Sequence, residues 1–222
     1  MGARAESARR PGRPGADSPA VPDEESILLR GLEAFAELGY DRASARELAR
    51  RLGVSHNFIN DRYGSKAAFW RAVVDSAMGA QFALMPETDP TADDADQLRR
   101  FVSALYRTSV VRPQLGRVFV DEFSRDTERL DYVYERYIAP ALKTVVPNIE
   151  RLVASGRMAP VPMDVLFFAI IGPIGGMVEV PLARRLGRSP EAESPGELTA
   201  RAETLATLVI NGLLATAPGG RG

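Results

Sequence analysis

Catalysis or metal binding needs side chains that move protons, attack, or coordinate, and this chain of 222 residues is poor in them. It contains no Cys and a single His, which excludes thiolate zinc sites, disulfide staples and cysteine nucleophiles and leaves His56 as the one imidazole base or ligand. Two carboxylate groups could act as acids, bases or cation ligands: Asp121 with Glu122, and Asp93, Asp94 and Asp96. No nucleophile, phosphate loop or His partner accompanies either group. The second also follows a Pro-containing loop, the setting of a helix cap or a solvated face. No enzyme activity, catalytic residue, metal site or cofactor is expected.

The cations are more informative. Lys and Arg total 28 against 29 Asp and Glu, a net charge of -1, so nothing global points to a polyanion or a membrane. Between Arg42 and Arg71, however, seven Lys or Arg face only Glu47 and Asp61, a local excess of five positive charges, whereas the rest of the chain has six more carboxylates than cations. Positive charge gathered on one stretch of a neutral chain is the footprint of a nucleic-acid contact.

Short amphipathic helices must carry that stretch. Ile27, Leu28, Ala34, Phe35 and Leu38 fall on one helical stripe with Gly31 in its middle. Asp23 suits the N-cap, Glu24 and Glu25 suit the positive end of the helix dipole, and Gly39 can end the helix. Gly31 lowers helical propensity by up to about 1 kcal/mol relative to Ala, so a close neighbour is predicted there. Ser44 and Glu47 have the spacing of a capping box, each predicted to satisfy an amide at the other's position, and open a second helix that runs to Leu52. Gly53 breaks it. Ser55 is predicted to cap a third helix that turns Ile59 and Tyr63 inward and ends at Gly64, and Ser65 a fourth with Phe69, Trp70, Val73, Val74 and Met78 on its apolar side.

Beyond Gln81 only longer helices are predicted, over 92–110, 113–124, 127–155, 164–186 and 195–215. Pro140 and Pro147 should kink or divide the third of these, and Pro173 and Pro181 the fourth. The fold class is therefore all-α: an N-terminal helix-turn-helix three-helix domain over 23–80, then a larger helical domain over 81–216. Residues 1–22 hold four Pro, three Gly and four Arg and no helical period; they are read as a disordered basic arm, and 217–222 as a flexible tail. Arg9, Arg10 and Arg13 could lie in a minor groove or simply be solvated. Residues 1–22 lack an apolar secretion core, and the uncharged stretches 165–178 and 204–220 are too short or too broken by Gly and Pro to span a bilayer, so a cytoplasmic protein with no membrane partner is expected.

Two helices of about nine residues joined at Gly53 fit a helix-turn-helix for a steric reason. The helices cross closely, so the first needs a small residue (Ala49), the turn a residue tolerant of positive φ (Gly53), and the second an apolar anchor (Ile59). The segment ILLRGLEAFAELGYDRASARELARRLGVSHNFINDRYGSKAAFWRAVV, with flanks from 24 to 78, resembles without a gap the N-terminal DNA-binding domain of the TetR family of transcriptional regulators. FAELGY, SARELA from Ser44, GVS at 53–55 and YGSK at 63–66 carry the resemblance. The other two-thirds of the chain is similar to the family only as a run of helices of suitable number and length.

The resemblance implies that the third helix enters the major groove of operator DNA. His56, Asn57, Asn60 and Asp61 would then read bases, with Phe58 at the border: Asn57 or Asn60 paired with adenine, His56 donating to a purine N7, Phe58 touching a thymine methyl. Ser44, Arg46, Ser55 and Lys66 match positions that hold phosphates. Where family members often carry Lys-Gly-Thr this chain has His56, Asn57 and Phe58, and Asp61 could accept from a cytosine N4, pair with Arg62, or point away.

Two reading helices are normally delivered by a dimer at about 34–36 Å, one turn of duplex. A homodimer through the last two helices, 164–186 and 195–215, is implied, with Val165, Leu166, Phe168, Ala169, Ile171 and Met177 on the first and Leu198, Ala202, Leu205, Leu208 and Leu213 on the second. Gly172, Gly175 and Gly176 either admit close approach there or, with Pro173, mark a break. The larger domain is implied to bind a small apolar or aromatic effector in a cavity among its aromatic residues. Tyr106, Phe119, Phe123, Tyr134, Tyr137 and Phe167 are the candidates, beside Tyr132 and Phe168. The function implied is a ligand-responsive repressor released from a palindromic operator; the alternative is an architectural DNA-binding protein without a ligand.

Overall fold

The computed structural model describes residues 22–87, 89, 91–178, 180–189, 191 and 193–214. All but one residue of the expected arm, and the whole of the expected tail, lie outside them. The described residues form helices and connecting turns, with no strand among them. In chain order the helices are α1 (Glu24–Leu38), α2 (Ala45–Leu52), α3 (Phe58–Tyr63), α4 (Lys66–Phe82), α5 (Asp94–Val111), α6 (Pro113–Phe123), α7 (Glu128–Val133), a π-helical turn (Tyr134–Ile138), α8 (Ala139–Ala154), α9 (Met163–Val178), α10 (Val180–Arg185) and α11 (Pro195–Leu214).

Local signals explain most boundaries. Asp23 caps α1 by accepting from the Ser26 N–H at 2.7 Å, and Ser65 caps α4 by accepting from the Ala68 N–H at 3.0 Å. Gly53 ends α2 in the left-handed conformation, at φ 72° and ψ 31°. The capping box at Ser44 is only half built. Ser44 Oγ accepts from the Glu47 N–H at 3.2 Å, but the Glu47 carboxylate accepts from Arg50 and Arg51 instead of reaching back. A charge-assisted pair outcompetes a neutral amide for that carboxylate. The third helix also departs from expectation: it starts at Phe58, and Ser55 gives its carbonyl, not its hydroxyl, to the Phe58 N–H at 3.0 Å.

Prolines act as expected in part. The path from 128 to 154 is interrupted by a π turn in which the Ala139 N–H reaches the Tyr134 carbonyl. The wider turn falls just before Pro140, whose ring cannot continue the ordinary ladder. Pro147 and Pro173 lie inside α8 and α9, which continue past them, and Pro181 lies inside α10. Gly172, Gly175 and Gly176 therefore do not mark a break.

Two apolar clusters fill the fold. The first joins α1 to α4 through Leu32, Phe35, Leu48, Ile59, Phe69 and Trp70, and takes in Leu115 and Val118 of α6 and Val133 of α7. The second joins α5, α8, α9 and α11 through Leu98, Tyr106, Leu152, Leu166 and Ile210. The expected boundary at residue 80 falls inside α4, which runs unbroken from the head into the second body. Gly31 has the close neighbour the sequence predicts: a Cβ there would lie 2.7 Å from both Phe69 Cζ and Val73 Cγ2. Gly31→Ala should lower unfolding free energy by about 1–3 kcal/mol, overpacking outweighing the helical gain, as read by urea denaturation.

Candidate nucleic-acid interface and ligand cavity

The helix-turn-helix is held as its residue types require. Ala49 and Ile59 are buried at the crossing of α2 and α3, and the Val54 N–H closes the turn on the Ala49 carbonyl at 3.1 Å. From α1, Arg30 donates to the Leu52 carbonyl at 3.2 Å and so grips the end of α2. Arg62 pairs with Glu24, to which Tyr63 Oη also donates at 2.7 Å, tying α3 to the start of α1. These two partners hold the Glu24 carboxyl below its ordinary range, the Tyr63 hydrogen bond contributing most. Hydrogen bonds from Arg50 and then Arg51 bring Glu47 down to about 2.

Ser44, Arg46, Ser55, His56, Asn57, Asn60 and Asp61 are all exposed. His56 and Asn57 stand in the turn that leads into α3, and Asn57, Asn60 and Asp61 follow one another at helical spacing on the side away from Ile59. Arg62 is engaged by Glu24, so Asp61 does not pair with it. Phe58 is half-buried and edge-on to Tyr63, with ring centroids 6.3 Å apart, so only part of its ring faces outward. Glu24 and Glu37, which the basic window leaves out, pair with Arg62 and Arg51. The patch is thus less positive than the linear count, and Arg46 has no intramolecular partner among the described residues.

Lys66 is the exception within the expected phosphate set. It is half-buried, donates to the Tyr40 carbonyl at 3.0 Å, and sits 4.1 Å from the Tyr40 ring centroid. Burial pushes its ammonium below the usual lysine range. The other face of this joint belongs to the second body: the Arg129 guanidinium lies 3.8 Å from the same ring, and its Nε donates to Glu122 at 2.8 Å. Arg125 adds a bridge from Asp121 to Asp41. The two carboxylates singled out on α6 are thus structural ties, as are Asp93 to Arg157, Asp94 to Arg151 and Asp96 to Arg99. Arg129 had no motif to mark it, and the sequence gives no sign that Tyr40 and Glu122 both meet it; that joint arises from contacts between segments brought together by the fold.

Behind the joint lies an apolar cavity of about 420 Å³, walled by the end of α4, by α5, α6, α8 and α9. Phe119, Phe123, Tyr137 and Phe167 line it. Phe119 stacks on Phe123 at 5.6 Å, Phe123 meets Phe167 edge-on at 6.2 Å, and Phe167 meets Phe168 at 5.4 Å. Two expected members lie elsewhere. Tyr106 is buried in the second cluster, where its hydroxyl donates to the Ile170 carbonyl at 2.7 Å and burial lifts its pKa to about 12. Tyr134 is exposed on the π turn, because the shifted register there rotates it outward. Met78, Gln81, Phe82 and Met85 line the cavity without having been expected to. Their spacing of three and four continues the apolar stripe of α4 past its expected end, a signal the sequence does hold. Val120 and Phe168, exposed at 60% and 57%, form an apolar mouth.

α6 connects the two features. Leu115 and Val118 are buried in the cluster of the head, against which Phe119 and Phe123 also pack, and Leu115, Phe119, Val120 and Phe123 all line the cavity. An exposed helix-turn-helix joined through α4 and α6 to an apolar chamber is the architecture of a DNA-binding transcriptional regulator. Residues 27–73 match the bacterial regulatory proteins of the tetR family, and residues 72–216 match the C-terminal region of YcdC-like proteins. The chain belongs to the TetR family, as the motif resemblance implies.

Solved structures agree on the fold. The ketosteroid transcriptional regulator KstR2 of Mycobacterium tuberculosis is similar at 18% identity and a TM-score of 0.66, over 87% of this chain and 96% of that one. A TetR-family regulator from Streptomyces coelicolor A3 is similar at 21% identity and 0.66, over 88% and 94%. FadR from Bacillus subtilis, solved in complex with stearoyl-CoA, is similar at 16% identity and 0.61, over 86% and 100%. No curated protein sequence matches significantly. Among the described residues no helix is long and apolar enough to cross a membrane.

Proposed function

We propose that this regulator is a repressor that binds a palindromic operator as a homodimer and leaves it when a small apolar or aromatic effector fills the cavity. The observation that carries this reading is the placement of α6, whose Leu115, Phe119 and Phe123 belong at once to the cavity wall and to the apolar cluster of the DNA-binding head. A ligand that fits only one position of α6 would favour one spacing of the two heads, and only such differential affinity can shift the equilibrium. The stearoyl chain of the ligand in the FadR complex supports an effector with a hydrocarbon part.

The reading set is His56, Asn57, Asn60 and Asp61 with the outer edge of Phe58, and the phosphate set is Ser44, Arg46, Ser55 and Lys66. For the dimer, Val165, Phe168, Leu182 and Leu208 of α9, α10 and α11, with Leu186 in the turn after α10, are exposed apolar side chains, whereas Leu166, Met177 and Ala202 are already buried within the chain. A Cβ at Gly172 or Gly176 would meet nothing within 4 Å, which leaves room there for the close approach of a second copy.

The test is operator affinity with and without effector at fixed salt; equal affinities sink the switch. Arg46→Ala should weaken every DNA sequence alike and reduce the salt slope by about 0.9, while Asn60→Ala should alter base preference at one position by about 1–3 kcal/mol. Arg46 is a cleaner probe of phosphate contact than Lys66, which also holds Tyr40. A change of preference on removing Arg46 alone would reverse the two roles.

A further inference from the structure

The cavity carries a chemical selectivity that goes beyond its size. Among the residues that line it none is charged, and only Gln81, Ser109, Ser124 and Tyr137 bear a polar side chain. Three of these have already given their hydrogen to the protein. Ser109 Oγ donates to the Leu105 carbonyl at 2.7 Å, Ser124 Oγ to the Asp121 carbonyl at 2.8 Å, and Tyr137 Oη to Asp75 at 2.5 Å. The carboxamide of Gln81 has no hydrogen-bond partner among the described residues, and it is half-buried at the cavity wall.

We propose that the effector is an uncharged, hydrocarbon-rich molecule with one hydrogen-bond acceptor, and that Gln81 is the residue that receives it. This rests on reading the cavity as the effector site. An ionised carboxylate or ammonium inside would lose water and gain no counter-charge, a penalty that excludes it far more strongly than aromatic faces could attract it. A carbonyl or ether oxygen, in contrast, needs one donor, and the Gln81 amide has two to offer. Its position adds a consequence. Gln81 stands in the last turn of α4, whose first turn carries Lys66, so the bond to ligand is made by the helix that enters the DNA-binding head.

The test uses four probes of similar chain length, methyl nonyl ketone, decane, decanoate and decyltrimethylammonium, titrated into the whole protein by calorimetry. The ketone should bind the tightest. Gln81→Leu, which keeps the bulk and removes the amide, should weaken the ketone about ten-fold and leave decane unchanged or tighter. Gly175→Leu, which sets a four-carbon side chain on the cavity wall, should abolish ketone binding.

Tighter binding of either ion overturns the uncharged class. Ketone affinity unchanged in Gln81→Leu but lost in Gly175→Leu overturns the role of Gln81 and leaves the cavity reading intact. Ketone binding that survives Gly175→Leu overturns the cavity reading itself, and if no probe binds, both fall.

Discussion

Glu122→Ala is expected to lower unfolding free energy by about 3–5 kcal/mol, the usual consequence of removing one partner of a buried ion pair. Glu122 is only 1% exposed and accepts from Arg129 Nε at 2.8 Å and from Thr127 Oγ1 at 3.2 Å. Without it the guanidinium stays largely buried and has lost its counter-charge. The damage should reach further, because Arg129 covers the Tyr40 ring whose opposite partner is Lys66. A freed Tyr40 no longer fixes the turn between α1 and α2, so operator affinity should fall along with stability. Glu122→Gln, which keeps an acceptor but no charge, should lose less of both. Denaturant unfolding and DNA titration on the same samples check this, and a loss under about 1 kcal/mol for the alanine variant would mean that the joint does not depend on the pair.

Gly175→Leu should remove the effector response completely. Gly175 lines the cavity on α9, and a Cβ there would meet nothing within 4 Å, so the wall has room for a longer side chain. Folding should not suffer, since replacing a helical Gly by Leu gains up to about 1 kcal/mol of propensity. Operator affinity measured with saturating methyl nonyl ketone should then equal that measured without it. A response that persists at wild-type strength would place the effector outside this cavity.

These two predictions concern different degrees of legibility. The head was readable in detail: Asp23, Ser44, Gly53 and Ser65 stand at the caps where their chemistry puts them, because each acts on amides or carbonyls within about four residues. Errors there came from competition. Glu47 had the spacing to complete a capping box, but two arginines on the same helix took its carboxylate, and Glu24 and Glu37 neutralise cations that a linear window counts as free. In the second body the helices themselves were readable from period and Pro breakers, but the fate of each aromatic was not. Tyr106 and Phe119 look alike in sequence; one is sealed in the core by a hydrogen bond to Ile170 and the other faces the chamber.

Helix type, most helix ends and the helix-turn-helix register follow from short-range rules of capping and periodicity, which residue order carries by itself. The chamber, the Glu122–Arg129–Tyr40–Lys66 joint and the solitary Gln81 amide exist only because α4, α5, α6, α8 and α9 meet in space. Which atoms find partners, and which volume stays empty, depends on how surfaces from distant segments fit together, and no local pattern encodes that fit.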